Sequence, residues 1–354
     1  MAGGDRPADL GDFSLLLHPH HQGVLLRRSA GGRHLRRRGL YPARGLRALG
    51  AVGAAVHRGG VVRRWLGQHG GGCLRLTEDR TTVDSLFDLS QADLPARWQG
   101  RFYESLGSTS DEALTLLRAG EITTPTLIMA GEQTAGRGRG RGAGSWSTNR
   151  GNLAVSFVHF PTAPQTDWFA LSYAAGLSLA RVLVEVCGFD DAEVGLKWPN
   201  DVFVRGAKIG GLLLETAATP QGVPTLVLGM GVNLAHAPQL EGAVYRAESL
   251  RRLGYHGPEK PVIRGLIEAW DSTTAGFDRM QAPRTPLFRD WQAKAMYLNQ
   301  EITVRLGPGQ HKTGVFIGLD EQTGVMRLRH SDGTIEPIVA GDVGLLGGGG
   351  GSGD

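Results

Sequence analysis

Apolar positions recur with a readable period only from about residue 84 onward. In DWFALSYAAGLSLARVLVEVCG (167–188), Leu171, Ala175, Leu179, Val182 and Val186 fall at helical spacing, and Gly188 supplies a stop. STSDEALTLLRAG (108–120) predicts a second helix, with Thr109 as the cap, Glu112 answering three residues later and Gly120 just past the end. A third helix is expected from about Val262 to Phe277. PTLIMA (125–130) reads as a buried strand and NLAVSFV (152–158) alternates as a strand should. Short strands follow in VGLKW, DVFV, IGGLLLE and TLVLGMGV, all between residues 194 and 232. Strands mixed with helices in this order predict an α/β (α+β) domain over residues 86–296, with a mixed sheet and helices on one face. EITVRLGPG, KTGVFIGLD, GVMRLRHSDG and TIEPIVAGD change the texture again. They predict a small separate β-barrel over 297–346, and GGGGGSGD (347–354) is a flexible tail.

Residues 1–85 show neither period. Between Phe13 and Leu76 there is no Asp, Glu or Lys, while Arg, Gly, His and Ala crowd together. Such imbalance predicts a weakly ordered basic arm, with a nucleic-acid arm as the sharper alternative. No helix–turn–helix pattern is visible there, so DNA binding is not expected. Across all 354 residues no uninterrupted apolar run reaches the ~18 residues of a membrane span. The first residues lack the basic-then-apolar order of a secretory signal. Two cysteines, Cys73 and Cys187, make neither a disulfide framework nor a zinc site, so a cytoplasmic location is expected. The net charge of +4 hints at an anionic partner.

Two stretches carry candidate chemistry. GEQTAGRGRGRGAGSWST (131–148) sets Arg137, Arg139 and Arg141 among glycines. It is no phosphate-binding P-loop, because Arg137 and Gly138 stand where Lys and Ser or Thr belong. It is also a poor dinucleotide fingerprint, since no helix pattern follows. A solvated glycine–arginine loop is the bland alternative; a flap that grips an anion with guanidinium forks is the better reading. The second stretch is KWPNDVFVRGAKIGGLLLE (197–215). Only five lysines occur against 33 arginines, and Lys197 and Lys208 flank this strand pair. A compact ammonium amid so many guanidiniums suggests a point-charge role. Asn200 and Asp201 could cap backbone or direct a magnesium ion and phosphates. Gly210 and Gly211 inside a strand imply close approach of a ligand or backbone, and GMGVN (229–233) repeats that signal through Gly229 and Gly231.

In order and spacing, GEQTAGRGRGRGAGSWS, KWPNDVFVRGAKIGGLLLE and GMGVNL resemble the biotin–protein ligase family over about residues 100–346. The resemblance implies an ATP-dependent enzyme that makes biotinyl-5'-AMP and passes biotin to a carboxylase carrier domain. It also implies an SH3-like barrel at the C-terminal end. Biotin, ATP and Mg²⁺ would be its ligands, and the family leaves a homodimer open. By resemblance, Ser108, Thr109, Ser110 and Gln133 meet biotin, although Ser110 stands where the family usually has Asn. Arg137, Gly138 and Arg139 would belong to the biotinyl-adenylate loop, with Lys208 between the biotin carboxylate and the α-phosphate and Gly210 and Gly211 beside them. The ATP side would take Arg139, Arg141, Trp146, Lys197, Asn200, Asp201, Gly229, Gly231 and Asn233, with Asp201 toward the metal. Lys208, Arg137 and Arg139 would be catalytic. The interval from Gly136 to Trp146 is two residues longer than the common pattern, so aligning from the right assigns Arg139 and Arg141 instead. A lipoate-type ligase, and a nucleic-acid binder using the basic arm, are the alternatives.

Overall fold

The computed structural model describes residues 88–138, 145–238, 245–279, 284–307 and 309–345. The predicted basic arm, the tail and residues 139–144 of the arginine loop lie outside the described residues. All the described residues fall in one compact unit.

One large sheet has the order β1-β2-β4-β8-β7-β6-β5, with β3 added on β2. Its strands are β1 (Gln99–Leu106), β2 (Thr126–Arg137), β3 (Ser145–Thr148), β4 (Leu153–His159), β5 (Val194–Lys197), β6 (Asp201–Val204), β7 (Ala207–Ala218) and β8 (Pro224–Val232). Only β1 and β2 run parallel, joined by the crossover helix α1 (Thr109–Arg118); the other pairs are antiparallel. The sheet is therefore mixed, as its sequence pattern implies. The predicted helices are found as α1, α2 (Ala170–Glu185) and α3 (Glu259–Arg279). Gly188, at φ 75°, ends the α2 segment in the left-handed region. The cap of α1 is a correction: Ser108, not Thr109, takes the hydrogen bond from Asp111 N. Thr109 is already inside the helix, and its hydroxyl donates to Gln133.

Alternation along the strands sends side chains to two separate cores. Leu127, Met129, Val155, Phe157, Leu226 and Leu228 join α2 and α3 on one face. Tyr103, Ile128, Ala130, Val158 and Val227 join Ala113, Leu116 and Leu117 of α1 on the other. Each fully buried side chain of this size contributes roughly 1.5–3 kcal/mol, so the two-residue period fixes the register of the sheet. Helices therefore cover both faces. The single helical face expected from sequence is corrected, because β1–α1–β2 crosses over on the side opposite α2.

The C-terminal region forms an antiparallel five-stranded sheet of order β12-β11-β10-β9-β13. Its strands are β9 (Glu301–Gly307), β10 (Gln310–Leu319), β11 (Met326–Arg329), β12 (Ile335–Ile338) and β13 (Asp342–Leu345). α4 (Thr285–Ala293) precedes it, and Tyr173 of α2 donates a 2.7 Å hydrogen bond to the Gly324 carbonyl. Among the described residues no helix is long and apolar enough to cross a membrane.

His159, buried at the end of β4, places Nε2 3.2 Å from Asp278 Oδ2 on α3, and Thr162 N donates to the other Asp278 oxygen. Burial opposes ionisation of Asp278. The hydrogen bond and charge of His159, with the Thr162 and Ala163 N–H groups, outweigh it and hold the pKa below the ordinary 3.8. A depressed folded pKa contributes stability above the unfolded value, which is lost as pH falls through the folded one. We predict that Asp278→Asn loses less stability than the wild type when urea melts are compared between about pH 6 and pH 3. An identical acid loss in both proteins would show that this pair carries none of it.

Candidate active site

The α1 face of the sheet is only partly covered, and a cavity of about 380 Å³ opens beside α1. On β8, Val227 points into the α1 core, so Gly229 and Gly231 continue the same face into the cavity. A Cβ on Gly229 would lie 2.5 Å from Ser110 Oγ, and one on Gly231 would collide with the indole of Trp146. The glycines of the GMG motif are thus explained by two side chains lying directly on the strand.

Three pieces of local geometry bring the cations together. β5 and β6 form a hairpin whose loop is Trp198, Pro199 and Asn200, so Lys197 and Asp201 are direct cross-strand partners. Asn200 stitches that loop to β7: its carbonyl accepts from Leu212 N at 2.9 Å, and its amide donates to the Leu212 carbonyl. On β7 the register against β6 slips. Val202 faces Gly210 but Phe203 faces Lys208, leaving Ile209 as an extra residue. This bulge turns Lys208 onto the same side as Asp201 while Ile209 stays in the core.

Asp201 then serves both lysines. Its Oδ1 lies 2.7 Å from Lys208 Nζ and its Oδ2 3.5 Å from Lys197 Nζ. Lys197 is only 1% exposed, and Asp342 of β13 approaches it at 2.9 Å. A buried ammonium without such partners would cost several kcal/mol. The ring of Tyr245, 4.4 Å away, adds a cation–π face. Burial, then Tyr297 and the Asp342 and Asp201 carboxylates, pushes the Tyr245 phenol far above its ordinary range, so it stays a neutral donor. Arg305, the cross-strand partner of Asp342, stands 3.7 Å from that carboxylate at the rim. The C-terminal sheet thus supplies one wall of the cavity.

The opposite end is neutral and closely hydrogen-bonded. Thr109 N and Oγ1 both donate to Gln133 Oε1, at 2.9 and 3.2 Å, and Gln133 Nε2 donates to the Trp146 carbonyl. Ser156 of β4 donates to Thr109 and shares a 3.0 Å hydrogen bond with Ser110. Arg137, at the end of β2, forms a bidentate pair with Glu215 at 2.7 Å to each oxygen, and its Nε lies 3.0 Å from Asp111. Burial alone would lower its pKa; the hydrogen bond and charge of Glu215, with Asp111, raise it instead.

Of the predicted site residues, Ser108, Thr109, Ser110, Gln133, Arg137, Gly138, Trp146, Lys197, Asn200, Asp201, Lys208, Gly211, Gly229 and Gly231 all line the cavity. Two do not. Gly210 faces Leu179 of α2, because the bulge places it on the core side. Asn233 is buried just past β8, and its amide donates to the Glu248 carbonyl. Arg139 and Arg141 lie outside the described residues. Residues that motif reading missed are Ser156, Tyr245, Arg305 and Asp342. A serine inside the otherwise apolar LAVSFV (153–158) was a usable signal for Ser156; nothing local marked the other three, which arrive through tertiary packing.

Among the described residues no group of three or more His, Cys, Asp or Glu could hold a metal alone. Mg²⁺ needs only one or two protein carboxylates when phosphates supply further oxygens, and Asp201 offers one.

A profile of the Biotin/lipoate A/B protein ligase family matches residues 102–233, the segment holding the cationic cluster and the serine–glutamine end. The Biotin protein ligase C terminal domain matches residues 297–346. The Biotin--[acetyl-CoA-carboxylase] ligase of Mycobacterium tuberculosis is 33% identical over 217 residues, covering 61% of this chain and 78% of that enzyme. The enzyme of the same name from Paracoccus denitrificans is 34% identical over 226 residues, covering 63% and 90%. This chain belongs to the biotin protein ligase family. Among solved structures, the Aquifex aeolicus biotin protein ligase in complex with biotin and ATP superposes with a TM-score of 0.57 at 25% identity, covering 69% of this chain and 97% of that one.

The glycine geometry generates a direct test. Gly231→Ala forces the Trp146 indole off β8, and we predict a changed tryptophan emission together with weakened ATP binding. A variant with unaltered emission and ATP affinity would show that the close approach is unimportant.

Proposed function

We infer that this chain is an ATP-dependent biotin–protein ligase. It joins biotin and ATP into biotinyl-5'-AMP with release of pyrophosphate, and then transfers biotin to a lysine of a carboxylase carrier domain. The observation that carries this reading is one cavity with a neutral hydrogen-bonding end and a cationic end, in a chain of this family. A lipoate-type ligase is disfavoured by the relatives' names. A nucleic-acid binder is disfavoured because the cavity's cations are directed inward around Asp201.

The chemistry follows from charge. A carboxylate oxygen of biotin must attack the α-phosphorus of ATP, and the bond to the β-phosphate breaks as pyrophosphate leaves. Both reactants are anions, so their approach must be offset by fixed positive charge. Lys208 is assigned the place between carboxylate and α-phosphate; Lys197 and Arg305 face the departing phosphates. Asp201 keeps both ammonium groups aimed before substrate arrives, which removes reorganisation from the step. Ser108, Thr109, Ser110 and Gln133 present hydroxyl and amide groups to the ureido ring. Asp201 would help hold Mg²⁺ with the triphosphate, and the ion would supply further charge neutralisation. In the second half, the carrier lysine amine attacks the acyl carbon and AMP leaves. No enzyme nucleophile is needed. We place the protein in the cytoplasm, with residues 86–296 as the catalytic domain and the carrier domain as partner.

Pre-steady-state pyrophosphate release, dependent on biotin, tests this assignment. We predict a loss of about 10²–10³-fold for Lys208→Ala, the scale of removing one preorganised electrostatic stabiliser. Lys312→Ala is the control, since Lys312 pairs with Glu336 inside the C-terminal sheet. Equal rates in the two variants would remove Lys208 from the reaction.

A further inference from the structure

Arg137 differs from the other cations of the cavity. Lys197, Lys208 and Arg305 have their carboxylate partners, Asp201 and Asp342, on the cavity wall itself. The partners of Arg137 are Glu215 and Asp111, neither of which lines the cavity. Its two Nη groups form an end-on fork with both Glu215 oxygens, and Nε faces Asp111. The edge that suits bidentate capture of a carboxylate or phosphate is therefore occupied. The local balance is one positive against two negative charges, which repels an arriving anion.

We propose that Arg137 is a positioning residue, a strut that fixes the biotin end of the cavity, and not a direct ligand of the substrate anions. This rests on the ligase reading above. The connectivity supports it. Asp111 follows Ser110 in the first turn of α1, and its N–H is the group that Ser108 caps. Arg137 lies four residues beyond Gln133 on β2. Glu215 of β7 pairs with Val227, two residues before Gly229 of β8. One guanidinium thus ties α1, which follows Ser108 and carries Ser110, and β2, which carries Gln133, to β7, the strand paired with the β8 strand against which Ser110 rests. The Lys197–Asp201–Asp342 cluster at the other end has no contact with this strut in its ion pairs. Biotin affinity should depend on the strut and ATP affinity should not.

The test is a double-mutant cycle on the full chain, with Arg137→Ala, Glu215→Gln and the double variant, read by calorimetric binding of biotin and of ATP. Each single change is expected to weaken biotin about tenfold or more, ~1.4 kcal/mol, with ATP binding unchanged. The double variant should be no worse than the worse single. Arg137→Lys keeps the charge but loses the fork, so it should resemble Arg137→Ala. Asp111→Asn, at an exposed side chain, should give a smaller loss in the same direction. The proposal is overturned if Glu215→Gln binds biotin or retains the adenylate as well as or better than wild type while Arg137→Ala does not. It is equally overturned if Arg137→Lys is normal. Biotin-dependent pyrophosphate release by the wild type, measured alongside, tests the ligase assignment separately.

Discussion

The carboxylate of Asp201, shared between Lys197 and Lys208, is the interaction on which the site depends. Without it two ammonium groups would face each other across a half-buried cavity, and Lys197 would be a buried charge with Asp342 alone as its counterion. Shielding by one carboxylate lets the chain keep both charges close enough to act on the same substrate. The arrangement costs backbone regularity: a tight hairpin brings Asp201 opposite Lys197, and a bulge at Ile209 brings Lys208 round to the same side. Each device is local, yet neither succeeds alone.

The remainder of the fold can be understood as support for that cluster. α2 and α3 fill the far face of the sheet, so strands β5 to β8 are held flat against a rigid core. α1 covers the near face over β2, β4 and β8, and its first turn, Ser108 to Ser110, meets the cavity. The C-terminal sheet then closes the side that α1 leaves open, through Asp342, Arg305 and the Tyr245 hydrogen bond to the Val343 carbonyl. Its contribution is electrostatic as well as steric, because Asp342 is a direct partner of the most buried cation.

Much of this was legible in the chain. Period-two and period-3.6 patterns located β2, β4, β8, α2 and α3, and the family resemblance located most of the cavity wall. What was not legible has physical causes. The crossover of β1–α1–β2 to the opposite face depends on β1, where only the adjacent Phe102 and Tyr103 and the last residue, Leu106, are buried amid polar positions, so no period-two pattern marks the strand. Gly210 and Gly211 look equivalent in sequence; alternation sends them to opposite faces, and the slip at Ile209 decides that Gly211, not Gly210, shares the cavity side with Lys208. Asn233 resembles a ligand because it follows GMG, but the strand ends there and its amide satisfies Glu248. Asp342 sits in a featureless AGD turn more than 140 residues from Lys197, so no local pattern could announce their pairing.

The central claim is that Asp201 strengthens anion binding by organising two cations, although it is itself negative. Calorimetric titration of ATP without Mg²⁺, in the presence of EDTA, into the wild type and Asp201→Asn measures this most directly, because a lost metal contact then plays no part. Simple charge counting says that removing a negative group from a cavity that takes a polyanion must tighten binding. The shared-carboxylate account predicts the reverse, an affinity loss of about tenfold or more, ~1.4 kcal/mol, with the fold intact. Unchanged or tighter ATP binding by Asp201→Asn would contradict it.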